Sequence, residues 1–209
     1  MTSAYLYLHD TARDAYLSPR RVQSQSDFRY TSEQLDGLKS SFPSLDLAMR
    51  IDHNCCLLIP TPPEPMNLLD LKAMFPEYFY TKNAAWYSSP FQAFARNEYM
   101  PAAKWLAVCR AAYESSRKLV WSEQLDRLPS GMYVPRAVEL VYTMAIYAKL
   151  RDRHILNDRF NRTSSSTPDY EQVVVGPFGK PGIVISHEKN SVQRSNLLNA
   201  VGLMLELPR

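Results

Sequence analysis

Pro135-Arg136-Ala137-Val138-Glu139-Leu140-Val141-Tyr142-Thr143-Met144-Ala145-Ile146-Tyr147-Ala148-Lys149-Leu150 is the strongest helical pattern in this chain. Val138, Val141, Met144, Ala145 and Ala148 fall on one face, and Leu140 and Tyr147 widen it. Proline suits a first helical position, where its missing N–H would have had no acceptor. Lys149, Arg151 and Arg153 complement the negative pole at the far end. The spacing predicts a helix over 135–150 whose apolar face must pack on another element.

The clearest strand signal follows. Residues 172–178 and 183–187 are β-branched or apolar runs around Gly179-Lys180-Pro181-Gly182, which reads as a hairpin. Residues 55–59 and 104–111 add two further strands. A helix on a mostly antiparallel sheet of these four strands gives an α+β fold, a single compact domain with a C-terminal hairpin. Upstream, Thr31 or Ser32 caps a helix carrying Leu35, Leu38 and Phe42, ended by Pro43. Ser44 caps a second, and Asn67 a short third. Residues 121–128 form another short helix. Residues 1–30 have weak periodicity and read as an irregular N-terminal arm with a short strand near 5–8, leaving 31–209 as the domain. Thr163-Ser164-Ser165-Ser166-Thr167-Pro168 reads as a loop, and the apolar tail 197–207 as a short helix followed by a strand.

The chain of 209 residues is long enough to bury a core without disulfides or metals. Proline outnumbers glycine, 15 to 6, which predicts stiff connections. Three cysteines, two of them adjacent, do not make a disulfide framework, so a reducing, cytoplasmic setting is the simpler reading. No apolar run approaches the length of a membrane span, and no membrane association is expected.

Parts of the chain resemble a family of uncharacterised bacterial proteins. The resemblance is carried by Trp86, Pro90-Phe91, Trp105, Gln124, the run Pro135-Arg136-Ala137-Val138-Glu139-Leu140-Val141-Tyr142, Arg162-Thr163-Ser164-Ser165, and Val173-Val174-Val175-Gly176 with Phe178 and Gly182. It spans roughly residues 55–205 and implies a single α+β domain of bacterial or mobile-element origin. It brings no activity with it.

No catalytic signature stands out. His9, His53, His154 and His187 lie far apart, without the local pairing that marks a metal site, so no metal and no cofactor are expected. The cysteines sit in apolar runs, where thiols are usually buried and inert. The glycine-containing turn at 176–182 lacks phosphate-loop spacing, and its two prolines remove amides that such a loop needs. Two features point instead to binding. The net charge of +3 is small, but Lys149, Arg151, Arg153, Arg159 and Arg162 face only Asp152 and Asp158, which concentrates the excess in one segment. Those arginines suit phosphate contacts, with Arg20 and Arg21 as candidates for the same face. Between residues 75 and 105 lies an aromatic belt, with Trp86 and Tyr87 at its centre. Tyr, Trp and Arg dominate interface hot spots. The leading expectation is therefore a non-enzymatic accessory protein that binds a protein partner, with Arg151, Arg153, Arg159, Arg162, Trp86 and Tyr87 as contact residues. A nucleic-acid-binding module built on 149–162 is the alternative. An enzyme is the third reading, and it needs a pocket joining His53 or His187 to carboxylates.

Overall fold

The computed structural model describes residues 3–82 and 86–205. Its centre is a helix. Ala137–Arg151 is flanked by elements on every side, and each residue from Ala137 to Ala148 is buried. The sequence pattern implied one packed face. The whole circumference is covered because small and β-branched residues leave room for neighbours all round, and because the polar groups are satisfied internally. Thr143 Oγ1 donates to Glu139 O at 2.8 Å, and the Tyr142 hydroxyl donates to Pro60 O at 2.6 Å.

Among the described residues, eight α-helices run in chain order: α1 (Ser3–Leu6), α2 (Pro19–Gln25), α3 (Ser32–Ser40), α4 (Leu45–His53), α5 (Leu68–Met74), α6 (Ala93–Asn97), α7 (Trp121–Asp126) and the central α8 (Ala137–Arg151). The strands are β1 (Cys56–Pro60), β2 (Trp105–Cys109), β3 (Met132–Tyr133), β4 (Phe160–Ser166), β5 (Gln172–Gly179), β6 (Gly182–Glu188), β7 (Leu197–Asn199) and β8 (Gly202–Leu203). The α+β class stands, but the strands divide between two sheets. One has the order β1-β2-β8-β3 and is antiparallel throughout. The other has the order β6-β5-β4-β7, and only its β4–β7 pair is parallel. Helix α8 packs against both, touching β2 of the first and β4 and β5 of the second.

Alternation along β1 explains the layer outside the first sheet. Leu57 and Ile59 point into the core around α8, while Cys56 and Leu58 join a second cluster with Leu8, Ala12, Tyr16, Ala48 and Ile51. Strand β2 divides likewise, Leu106 and Val108 inward, Ala107 and Cys109 outward. A sheet apolar on both faces needs two covers, and the N-terminal residues with α4 are the second. The short strand expected near 5–8 is helical instead: α1 leads into a π-helical turn, Tyr7–Thr11, that buries Leu8. Leu17 and Val22 are fully buried as well, so these residues form a packed layer rather than an irregular arm.

Four further expectations are corrected. Most of the Ser/Thr run is not a loop: residues 163–166 form the end of β4, with Thr163 Oγ1 donating to Val173 O at 2.8 Å, and only Thr167 and Pro168 lie beyond the strand. The tail holds two short strands, β7 and β8, and no helix among its described residues; residues 206 and 207 lie outside them. Cys56 and Cys109, 53 residues apart, stand opposite each other across the β1–β2 ladder and are joined as a disulfide. Cys55, expected to be buried, is an exposed free thiol.

The N-terminus of α8 is held by a polar cluster with a pH signature. Arg136 and Glu139 close a capping box, with Glu139 Oε2 accepting the Arg136 N–H at 2.8 Å. Ser165 Oγ accepts the Ala137 N–H at 2.9 Å and donates to Glu98. Burial pushes the Glu98 carboxyl above its ordinary value, against the opposing pull of the Ser165 hydrogen bond and the Arg136 charge. As pH rises, the unfolded chain ionises Glu98 first and the folded chain lags. The stability this group contributes is therefore full below its unfolded value near 4.5 and is lost as pH climbs through the folded value. The stability of the wild type relative to Glu98→Gln is expected to fall from about pH 4.5 upward, read as the difference in urea midpoints. Parallel midpoints across that range would show that Glu98 carries no such linkage.

Candidate binding cleft

A cleft of about 1070 Å³ lies between α2, α3 and the N-terminal layer. Its floor is four aromatic rings that are distant in sequence. Tyr5 comes from α1, Tyr16 from the extended segment after it, Phe42 from just beyond α3, and Trp105 from the first position of β2. Local bonds fix each of them. The segment at Tyr16 and Leu17 runs beside β1, with the Leu17 N–H donating to Leu58 O at 2.9 Å. Trp105 Nε1 donates to Leu38 O at 2.7 Å, tying the sheet to α3. Helix α3 is set by a capping box in which the Gln34 N–H donates to Thr31 Oγ1 while Gln34 Oε1 accepts the Thr31 N–H.

Two contacts among the rings are tilted, Tyr5–Phe42 at 58° and Tyr16–Trp105 at 45°, and three are edge to face. Phe42 and Trp105 lie 5.3 Å apart at 88°, Tyr16 and Phe42 5.7 Å apart at 86°, and Tyr5 and Tyr16 6.0 Å apart at 78°. In each of these pairs one ring's face is covered by the other's edge. Burial, followed by the neighbouring Tyr5, pushes the Tyr16 hydroxyl far above its ordinary value, so it stays neutral. The rim carries Arg20 on α2 and, on α3, Lys39 and the single carboxylate Asp36, all exposed. The chemistry on offer is an apolar floor, hydroxyl groups and two cations, a set suited to holding a ligand.

Sequence reasoning placed Trp105 in the belt and Phe42 on the apolar face of the helix after Thr31, with no link between them. Nothing local ties these rings to Tyr5 and Tyr16, because the cleft is assembled by the fold. The belt itself is mostly core: Phe75, Phe79, Tyr87 and Phe94 are each about 2% exposed. Tyr87, expected as a contact residue, is buried, and burial pushes its hydroxyl up to about 12. Trp86 is half-buried, donating Nε1 to Ile185 O at 3.0 Å and packing on Phe94 and His187. Phe91 and Tyr99 are the exposed rings of the belt, at 81% and 48%.

The arginines separate similarly. Arg162 is fully buried and makes no surface contact. Arg159 is paired with Asp158 and Glu114. Arg151 donates to Arg13 O at 2.5 Å and lies 3.9 Å from Asp14. Arg153 is exposed, with no hydrogen bond or ion pair among the described residues. Arg21 does join this region, as expected: its guanidinium donates to Leu150 O at 3.3 Å, and it lies close enough to Arg151 to help lower that residue's pKa after burial.

The enzyme reading asked for His53 or His187 beside carboxylates, and each histidine has carboxylate neighbours, at two separate places. His53 lines a shallow depression of about 500 Å³ with Tyr7, Asp46 and Asp52, where Asp52 already accepts the Tyr7 hydroxyl at 2.9 Å. His187 pairs through Nδ1 with Glu171 beside Trp86. Among the described residues, no group of three His, Cys, Asp or Glu side chains comes together to hold a metal, and no helix is long and apolar enough to cross a membrane. No protein-family model, curated protein or solved structure matches the chain.

Proposed function

We propose that this protein is a non-enzymatic accessory factor that binds a protein partner through the cleft between α2 and α3. The observation that carries this reading is the aromatic floor of Tyr5, Tyr16, Phe42 and Trp105 under an open rim. An apolar floor that is partly exposed at Tyr5, Phe42 and Trp105 and ringed by polar side chains is the arrangement of an interface anchor pocket. The alternative of nucleic acid on 149–162 is less well supported, since Arg162 is buried and Arg159 is already paired with Asp158 and Glu114. Base stacking also asks for open ring faces, and the near-perpendicular packing covers part of them.

The test is site-specific photo-crosslinking in the native host. A benzophenone side chain at Lys39, on the rim, is expected to capture a protein, and the same group at Lys180, on the hairpin turn, is expected not to. An adduct of nucleic acid at Lys39, or equal capture at both positions, sinks the proposal.

A further inference from the structure

We infer that the occupant of the cleft is an acidic segment of the partner protein, seating an aromatic or aliphatic side chain on the ring floor and placing carboxylates at Arg20 and Lys39. This deepens the function proposed above and rests on it. The argument is charge complementarity. Arg20 and Lys39 stand on different walls of the cleft against Asp36 alone. The cationic ground then continues past the rim. Arg21, next to Arg20 on α2, reaches the end of α8, where Arg151 and the exposed Arg153 follow, with Arg13 contributing its carbonyl to Arg151. Asp14, 3.9 Å from Arg151, is the acid paired with this group among the described residues. An extended segment with its anchor on the rings lays its neighbours along this ground, and a carboxylate there meets cations whichever wall it approaches. Charge steers the encounter and selects the partner, while the apolar anchor supplies affinity.

The experiment is selection of a displayed random twelve-residue peptide library on the full chain, with counter-selection on Ser32→Trp, which fills the cleft from an exposed helical position. Recovered peptides are expected to carry an aromatic or large aliphatic residue flanked by Asp or Glu. The affinity of a labelled winner is expected to fall at least about tenfold in Arg20→Glu with Lys39→Glu, roughly 1.4 kcal/mol. The same peptide with its acids changed to lysine is expected to regain binding to that double variant. Winners without acidic bias, or affinities indifferent to the charge reversal, overturn this inference and leave the cleft as a docking site. Peptides that do not distinguish wild type from Ser32→Trp overturn the docking reading itself. A twenty-nucleotide oligothymidylate that binds wild type but not Ser32→Trp overturns both in favour of single-stranded nucleic acid.

Discussion

Replacing Arg162 with alanine is expected to cost about 4 kcal/mol of folding free energy or more, the largest effect of any single substitution considered for this chain. The guanidinium is completely buried in β4. It donates to Gln124 Oε1 at 2.8 Å and to the carbonyls of Val192 at 2.7 Å, Lys189 at 3.2 Å and Leu119 at 3.3 Å. Among the described residues no carboxylate hydrogen-bonds it; burial pushes its pKa down to about 10 against the opposing pull of the Glu188 charge, so it remains a cation at neutral pH. The network goes further. Gln124 Nε2 donates to Ser116 O at 2.7 Å, and Ser116 Oγ accepts the Asn199 N–H at 2.9 Å. One side chain thus ties α7 with the residue before it, Leu119, and the segment after β6 to the second sheet. Alanine leaves a cavity and up to four dry acceptors, each costing about 1–3 kcal/mol if it stays unpaired. Arg162→Lys keeps the charge without the fork and is expected to fall between the two. Urea unfolding followed by circular dichroism gives the comparison. An alanine variant within 1 kcal/mol of wild type would mean that water replaces the guanidinium without loss.

The same residue shows where the sequence stops being legible. Charge is a local property of the chain, so Arg162 reads as a phosphate contact beside Arg159 and Arg153. Burial is a property of the assembled fold, and Gln124 and the carbonyls that accept its donors come from distant segments. The serines and threonines after it mislead for a related reason. Such residues favour turns when their hydroxyls bond locally, but in β4 Thr163 and Ser165 bond across to β5, α8 and Glu98. What could be read was periodic: the central helix, the β5–β6 hairpin, and the capped helices after Thr31, Ser44 and Asn67. The period gave the helix but not its enclosure, because coverage depends on elements that arrive from elsewhere. The cleft was least accessible of all. Its rings, at positions 5, 16, 42 and 105, share no spacing, and only the pairing of the N-terminal layer with β1 brings them together.

Gly182→Ala and Gly37→Ala are expected to move stability in opposite directions, although the chemical change is the same. Gly182 pairs with Gly179 to close the β5–β6 turn, at φ +110°, a conformation that a side chain disfavours. The turn also docks against the backbone of Phe79 and Tyr80, whose N–H donates to Ile183 O at 3.1 Å. A methyl group at 182 would lie 2.6 Å from the Phe79 carbonyl carbon and 2.6 Å from the Tyr80 nitrogen. Neither atom can swing aside as a side chain end would, so the turn must lift from its seat. Backbone strain alone costs about 1–3 kcal/mol, and the displaced contact adds to it, for an expected loss of about 3 kcal/mol or more. Gly37 lies inside α3, with open space where a Cβ would go and no positive φ. Alanine there costs nothing in contacts and narrows the unfolded ensemble, for an expected gain of about 0.5–1 kcal/mol. Urea midpoints of the two variants beside wild type decide the matter. A Gly182→Ala protein as stable as wild type would show that the hairpin does not rest on Phe79 and Tyr80. A destabilised Gly37→Ala would show that α3 is shaped by something its open flank does not reveal. The second result would bear on function too, because α3 forms one wall of the cleft and carries Lys39, a residue on which the acidic partner is proposed to sit.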